Sequence, residues 1–219
     1  MEEKRLEWNV EWKEKRMEKH LQGEKVLTIL LRWPKVTGTG RGPARLERYL
    51  QRMTQAWQER WERKIYLLAC LDLAQRQEAG ELFRPWEASL TGEVTYQDEE
   101  MISLRLDAVE VRGDGRENRV RMGEVWQKPE GVPLPPHPRF FPGRRWRRTL
   151  FDQWREQGKQ RREAGDCFLD AGFEGQLSRY FSPWNYCRTQ QGLEFYLPQG
   201  TVAPALEGVV TFRAEAEKS

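Results

Sequence analysis

Histidine, cysteine and long apolar runs are what this 219-residue chain has least of. Its two histidines, His20 and His137, have no second histidine or cysteine three or four residues on, so the spacing of a zinc site is missing. Three cysteines, Cys70, Cys167 and Cys187, lie far apart, and an odd number cannot all pair within the chain. None belongs to a CxxC pair, and a cysteine nucleophile would need a base that two histidines hardly supply. Serines are few and no G-x-S-x-G turn occurs. The longest apolar runs, Ile65–Leu71 and Leu27–Leu31, fall far short of the roughly 18 residues that cross a bilayer. The opening MEEKRLEWNVEWKEKR mixes acids and bases from residue 2 and has no apolar core of a signal peptide. These absences set the expectations: no metal, no cofactor, no membrane span, no catalysis and a cytoplasmic location.

Aromatic residues and charge of both signs are abundant. Ten Trp, nine Phe and six Tyr supply rings for a sizeable core, and 37 basic residues nearly balance 34 acidic ones. At about 150 residues per domain, the length suits one compact domain with an N-terminal half (about 1–92) and a C-terminal half (about 93–219).

Hydrophobic period places the elements. Leu6, Trp8, Val10 and Trp12 alternate with polar residues, the mark of a half-buried strand; EKHLQGEK reads as a turn, and VLTILLRW as a central strand that Pro34 ends. TGTGRGP then leads into a long helix from Ala44 to about Ala79, with Leu46, Leu50, Met53, Trp57, Trp61, Ile65, Leu68 and Leu71 on its apolar side. A break within so long a helix is possible on length grounds, and Gly80 is its natural end. Alternation at Trp86–Leu90, Val94–Tyr96, Ile102–Ala108 and Val120–Trp126, separated by QDEE and RGDGREN, reads as an antiparallel meander. The proline-rich 128–143 stretch excludes a regular element. After it come a helix carrying Trp146, Leu150, Phe151 and Trp154, a short helix at Glu174–Phe181, and strands at Trp184–Thr189, Leu193–Leu197 and Val209–Phe212. Without βαβ alternation the class is α+β: an antiparallel sheet packed against one long N-terminal helix and shorter C-terminal helices. Trp57 and Tyr196 are expected to be buried.

The C-terminal stretch GLEFYLPQGTVAPALEGVVTFRAEA resembles the end of the extracytoplasmic domain of RsiV-type anti-sigma factors, through Gly192, Leu193, Tyr196, Pro198, Ala203, Pro204, Gly208 and Phe212. WPKVTG (33–38) and VTYQDEEMISLRLDA (94–108) are similar to earlier segments of that family, so the resemblance spans about residues 24 to 215. Proteins of this type are membrane-anchored, bind lysozyme outside the cell and hold a sigma factor inside it. The resemblance therefore implies a non-catalytic binding domain with a protein or glycan, cell-wall-related ligand. This sequence departs from the family in lacking an anchor and a sigma-binding segment, and in carrying RGDGREN (112–118) where a His-containing turn is common. A net charge of +3 also gives no electrostatic steering toward a basic lysozyme. Related domains accompany a peptidoglycan deacetylase, whose Asp/His pattern is missing here.

Two stretches invite a site. Gly38-Thr-Gly-Arg-Gly42 stands between strand and helix, where phosphates are often held, but its spacing is GxGxG, no Lys-Ser/Thr follows, and a plain connection explains it. Arg139–Arg162 holds nine basic and two acidic residues, a surplus larger than that of the whole chain. Within it Arg144, Arg145, Trp146, Arg147 and Arg148 form the candidate binding site. Arginines with interleaved rings could contact phosphates and stack bases, so nucleic acid or another anionic polymer is the alternative ligand. Trp146, Leu150, Phe151 and Trp154 also stand at helical spacing, which turns the rings toward a core and leaves the arginines solvated or paired, with Asp98–Glu100 or Glu110 as the expected acidic neighbours.

Overall fold

The structure, a computed structural model, describes residues 8–215. Leu6 and Ala216, parts of the patterns above, lie outside them. The chain divides into two compact units: residues up to Gly92 with Leu106–Arg119, and Glu93–Arg105 with everything from Val120 on. Among the described residues nine strands form a six-stranded and a three-stranded sheet, and with the helices they make an α+β fold.

In the first unit the opening alternation continues much further than Trp12. Strand β1 (Trp8–Leu21) pairs antiparallel with β2 (Glu24–Gly38), from Trp8 opposite Gly38 to Leu21 opposite Glu24. Most of EKHLQGEK is thus strand, and the turn is only Gln22–Gly23, both with positive φ (52° and 90°). A two-residue hairpin needs that handedness to match the twist of its strands, and glycine supplies it without steric cost. Pro34 does not end β2, because β3 (Trp86–Gln97) pairs only with Leu27–Leu31. Beyond that ladder a missing N–H breaks no bond toward β3.

β2 and β3 run parallel, and a long helix connects them. The sequence pattern suggested no βαβ unit; here is one, and GTGRG opens its helix. Glu47 in that helix accepts a hydrogen bond from the Val36 N–H at 2.7 Å, which puts a carboxylate where a phosphate would need positive potential. The helix is α1 (Gly42–Arg60), a π-helical turn (Trp61–Ile65) and α2 (Tyr66–Ala79), ending at Gly80 as expected. Trp61, Ile65, Ala69 and Leu73 are buried at four-residue steps. In a uniform α-helix such a stripe drifts by about 40° per step; the wider π turn offsets part of that drift. Two expectations fail for the same reason. Leu71 is 51% exposed, and Trp57 is only half-buried while Trp61 is fully enclosed.

The meander expected from alternation is β3, β4 (Met101–Val111) and β5 (Glu117–Gln127), adjacent in the sheet, with a two-residue β6 (Val132–Pro133) beside β5. The proline-rich stretch holds no other regular element. In the second unit α3 (Trp146–Glu163) and α4 (Phe173–Tyr180) accompany the sheet β7 (Tyr186–Thr189), β8 (Gly192–Leu197) and β9 (Val210–Ala214). Its core is aromatic: Trp154 stacks on Phe212 at 5.3 Å and meets Phe195 at 5.2 Å, and Tyr186 stacks on Phe195 at 5.4 Å. Tyr196 is buried, as expected. At Gly123 a Cβ would overlap the Tyr186 backbone, so only glycine permits this approach. Asn185 secures it, accepting from the Gly123 N–H (2.8 Å) and donating to the Arg121 (3.2 Å) and Tyr196 (3.1 Å) carbonyls. No helix among the described residues is long and apolar enough to cross a membrane.

Candidate functional site

α3 starts without the usual chemistry of a helix start. Arg145 is its N-cap residue, no side chain caps the free N–H groups, and its first turn has no acid. Arg144, Arg145, Arg147 and Arg148 are all exposed there, while Trp146 is half-buried. Positive charge at a helix N-terminus opposes the macrodipole, at about 0.3–1 kcal/mol per charge.

Rings hold this unfavourable segment in place. The Trp146 indole stacks on His137 (5.7 Å, 4° between planes) and on Phe141 (5.6 Å, 15°), and Phe181 meets it edge-on at 6.0 Å. His137 Nδ1 lies 2.5 Å from the Phe141 carbonyl, tying the proline-rich loop into the stack. The Arg147 guanidinium rests over Trp146 (5.4 Å) and Phe181 (5.9 Å), each cation–π contact contributing about 0.5–1 kcal/mol at an exposed site. Trp146 is therefore a partly covered anchor, with Arg147 laid across its stack and the neighbouring arginines in solvent.

Of the expected acidic neighbours, Glu100 binds Arg139, at the start of the stretch. Asp152, within the stretch itself, binds Arg155 at 2.6 Å. Among the described residues, no carboxylate stands within ion-pair distance of Arg144, Arg145 or Arg148. Glu110, the other expected partner, belongs to the first unit and is fully engaged there. It accepts from Arg60 Nε (2.8 Å) and Nη2 (3.2 Å), Trp61 Nε1 (3.0 Å) and Asn118 Nδ2 (3.2 Å). Burial alone would raise the Glu110 pKa, but the bonds from Arg60, Asn118 and Trp61 outweigh it and hold the carboxyl below its ordinary range.

Buried titratable groups in the second unit are set up for packing. Cys187 donates Sγ–H to the Leu104 carbonyl at 3.0 Å, and burial pushes its thiol up, which suppresses the nucleophilic thiolate. Burial likewise pushes the Tyr186 and Tyr196 hydroxyls up, and Tyr186 donates to the Leu134 carbonyl at 2.6 Å. Among the described residues no three potential metal ligands come together.

A second feature of this unit escaped the sequence reading. Two adjoining depressions of about 740 and 380 Å³ lie between α3 and β9 and share Gln157, Gln160 and Arg213. Gln153 and Gln191 line the larger one. The spacing of Gln153, Gln157 and Gln160 puts three amides on one helical face, a signal present in the sequence. Its meaning depended on knowing that β9 would lie opposite.

A scan against protein-family models finds no match, and no curated protein matches by sequence. Among solved structures the chain is similar to a DUF3298-family protein of Bacteroides fragilis, with a TM-score of 0.61 and 14% identity over 96% of this chain and 90% of that one. It is also similar to a DUF3298-family protein of Pseudomonas aeruginosa, with a TM-score of 0.58 and 16% identity over 95% and 89% of the two chains. At these identities the likeness shows a shared fold.

Proposed function

We propose that this chain is a non-catalytic binding domain of the RsiV-like kind, taking a protein or cell-wall-related ligand at the surface of Arg144, Arg145, Trp146, Arg147 and Arg148. The observation that carries the reading is the pairing state of these arginines. Three exposed guanidiniums without an ion-pair partner among the described residues, beside a ring-anchored fourth, stand where the helix dipole disfavours them. A ligand with acceptor groups would relieve that arrangement, and the rigid stack lowers the ordering cost of binding. The likeness in fold to DUF3298-family structures supports the RsiV-like reading of the sequence, and the binding role rests on the arginine surface.

Calorimetry with lysozyme, peptidoglycan fragments and acidic proteins tests this. Binding that falls at least about tenfold when Arg144, Arg145 and Arg148 all become Ala supports it, since each charged hydrogen bond contributes about 1.5–3 kcal/mol. A panel with no binder sinks it. The same arginines favour a second reading, an anionic polymer such as nucleic acid. That reading requires affinity to fall with salt at a slope of about −0.7 to −0.9 per phosphate contacted. We further assign the chain to a reducing, cytoplasmic compartment, on three unpaired thiols of which two are buried. Thiol alkylation in intact against lysed cells tests that assignment.

A further inference from the structure

We propose that the groove between α3 and β9 is a subsite for a neutral, hydroxyl-rich sugar chain. The inference rests on the reading of the ligand as cell-wall-related, and it names the chemistry by which such a ligand would be held.

The groove's own chemistry selects the ligand class. Its larger part, about 740 Å³, lies in the range of about 300–1,000 Å³ typical of ligand sites. Most such sites are apolar; this one is lined by amides and charged groups. An amide side chain presents a donor and an acceptor in one plane, and so can grip two adjacent sugar hydroxyls at once. Gln153, Gln160 and Gln191 are exposed along it; Gln160 donates its amide N–H to Glu156 (3.1 Å) and presents its carbonyl as an acceptor.

Two other occupants fit poorly. β9 is the edge strand of its sheet, the place where an extended peptide would add a strand. Its outward groups are already taken: Gln157 donates to the Arg213 carbonyl (2.8 Å) and accepts from the Arg213 N–H (3.1 Å). Trp154 donates to the same carbonyl (3.2 Å), and Arg161 donates to that of Thr211 (2.9 Å). A polyanion is opposed by Asp152 and Glu156, while Arg213 is engaged by Glu194 at 3.2 Å. An uncharged chain that hydrogen-bonds through hydroxyls meets neither obstacle.

The experiment is calorimetry of the full chain with two probes, the tetramer of N-acetylglucosamine and cellotetraose. Expected is binding to at least one of them that is indifferent to salt and weakens about tenfold or more in a Gln153→Ala, Gln160→Ala, Gln191→Ala variant, consistent with two or more lost hydrogen bonds. These residues are exposed, so the melting curve of the variant should match wild type. Gln160→Trp, which fills the groove instead of emptying it, should weaken binding as well. Absence of binding to both probes overturns the inference, as does binding that both variants leave unchanged. Binding that disappears only when Arg144, Arg145 and Arg148 become Ala also overturns it, while leaving the arginine surface as the site. Failure of the parent reading looks different: then no protein, peptidoglycan fragment or sugar in either panel binds.

Discussion

Arg60 and Arg144 carry the same side chain in opposite circumstances. Arg60, in the first unit, places two guanidinium nitrogens on Glu110 at 2.8 and 3.2 Å, and that carboxylate is 7% exposed and further bonded to Trp61 and Asn118. Arg144, in the second, is exposed and has no carboxylate at ion-pair distance among the described residues. A charge becomes structural when its partner is buried and its bonds are complete, and it stays available to a ligand when it is solvated beside a rigid anchor. The second unit gets its rigidity from rings; the first combines a helix-covered sheet with this ionic cluster.

Substitutions can break the contrast. The largest effect should come from Trp154→Ala, at about 3–5 kcal/mol as for other buried aromatics, because the indole is fully enclosed and touches four other rings. A melt of the second unit shifted by much less would mean that its core is not organised by those rings. Glu110→Ala should cost about 3 kcal/mol by leaving the Trp61 indole N–H and the Arg60 guanidinium without their acceptor. Glu110→Gln, which keeps the shape and an acceptor, should cost less.

The same residue gives a pH signature. The folded Glu110 pKa is lowered, so the unfolded chain binds the proton more readily. Its stabilisation is complete above the unfolded value of about 4.3 and is lost as pH falls through the folded one. Urea unfolding from neutral to acid pH should show this loss in wild type and a shallower one in Glu110→Gln. A smaller effect is expected for Trp57→Ala. The ring is half-buried, with Trp61 at 5.5 Å and Arg60 above it, so the loss should be about 1–2 kcal/mol instead of the 3–5 of an enclosed indole. Smallest of all in cost, the combined Arg144→Ala, Arg145→Ala and Arg148→Ala change should destabilise by no more than about 0.5 kcal/mol and is expected to give a net gain, since it removes charge that the α3 dipole opposes. A large destabilisation would make these arginines structural and erase the contrast with Arg60.

Period and punctuation made much of the fold legible. Alternation located β1 and the meander, and three- and four-residue recurrence located the long helix and α3. Legibility ended where tertiary partners decide. QG does not stand out as a turn until two strands require positive φ on both sides of one peptide. Pro34 reads as a terminator unless one knows that the pairing with β3 has already ended three residues earlier, at Leu31. The choice of Trp61 over Trp57 depends on a π turn that no local propensity announces. At the candidate site, composition exposed the arginine run but not its pairing: Glu100 reaches Arg139 from 39 positions away, and Glu110 is claimed by Arg60 within the first unit.

The division of the chain has a consequence for anyone wishing to dissect it. The polypeptide passes from one unit to the other after Gly92, Arg105 and Arg119, within the lengths of β3, β4 and β5. Each passage occurs inside a strand. A single cut anywhere in that interval leaves residues of one unit on the other's fragment, so moving either unit into another protein takes more than one splice.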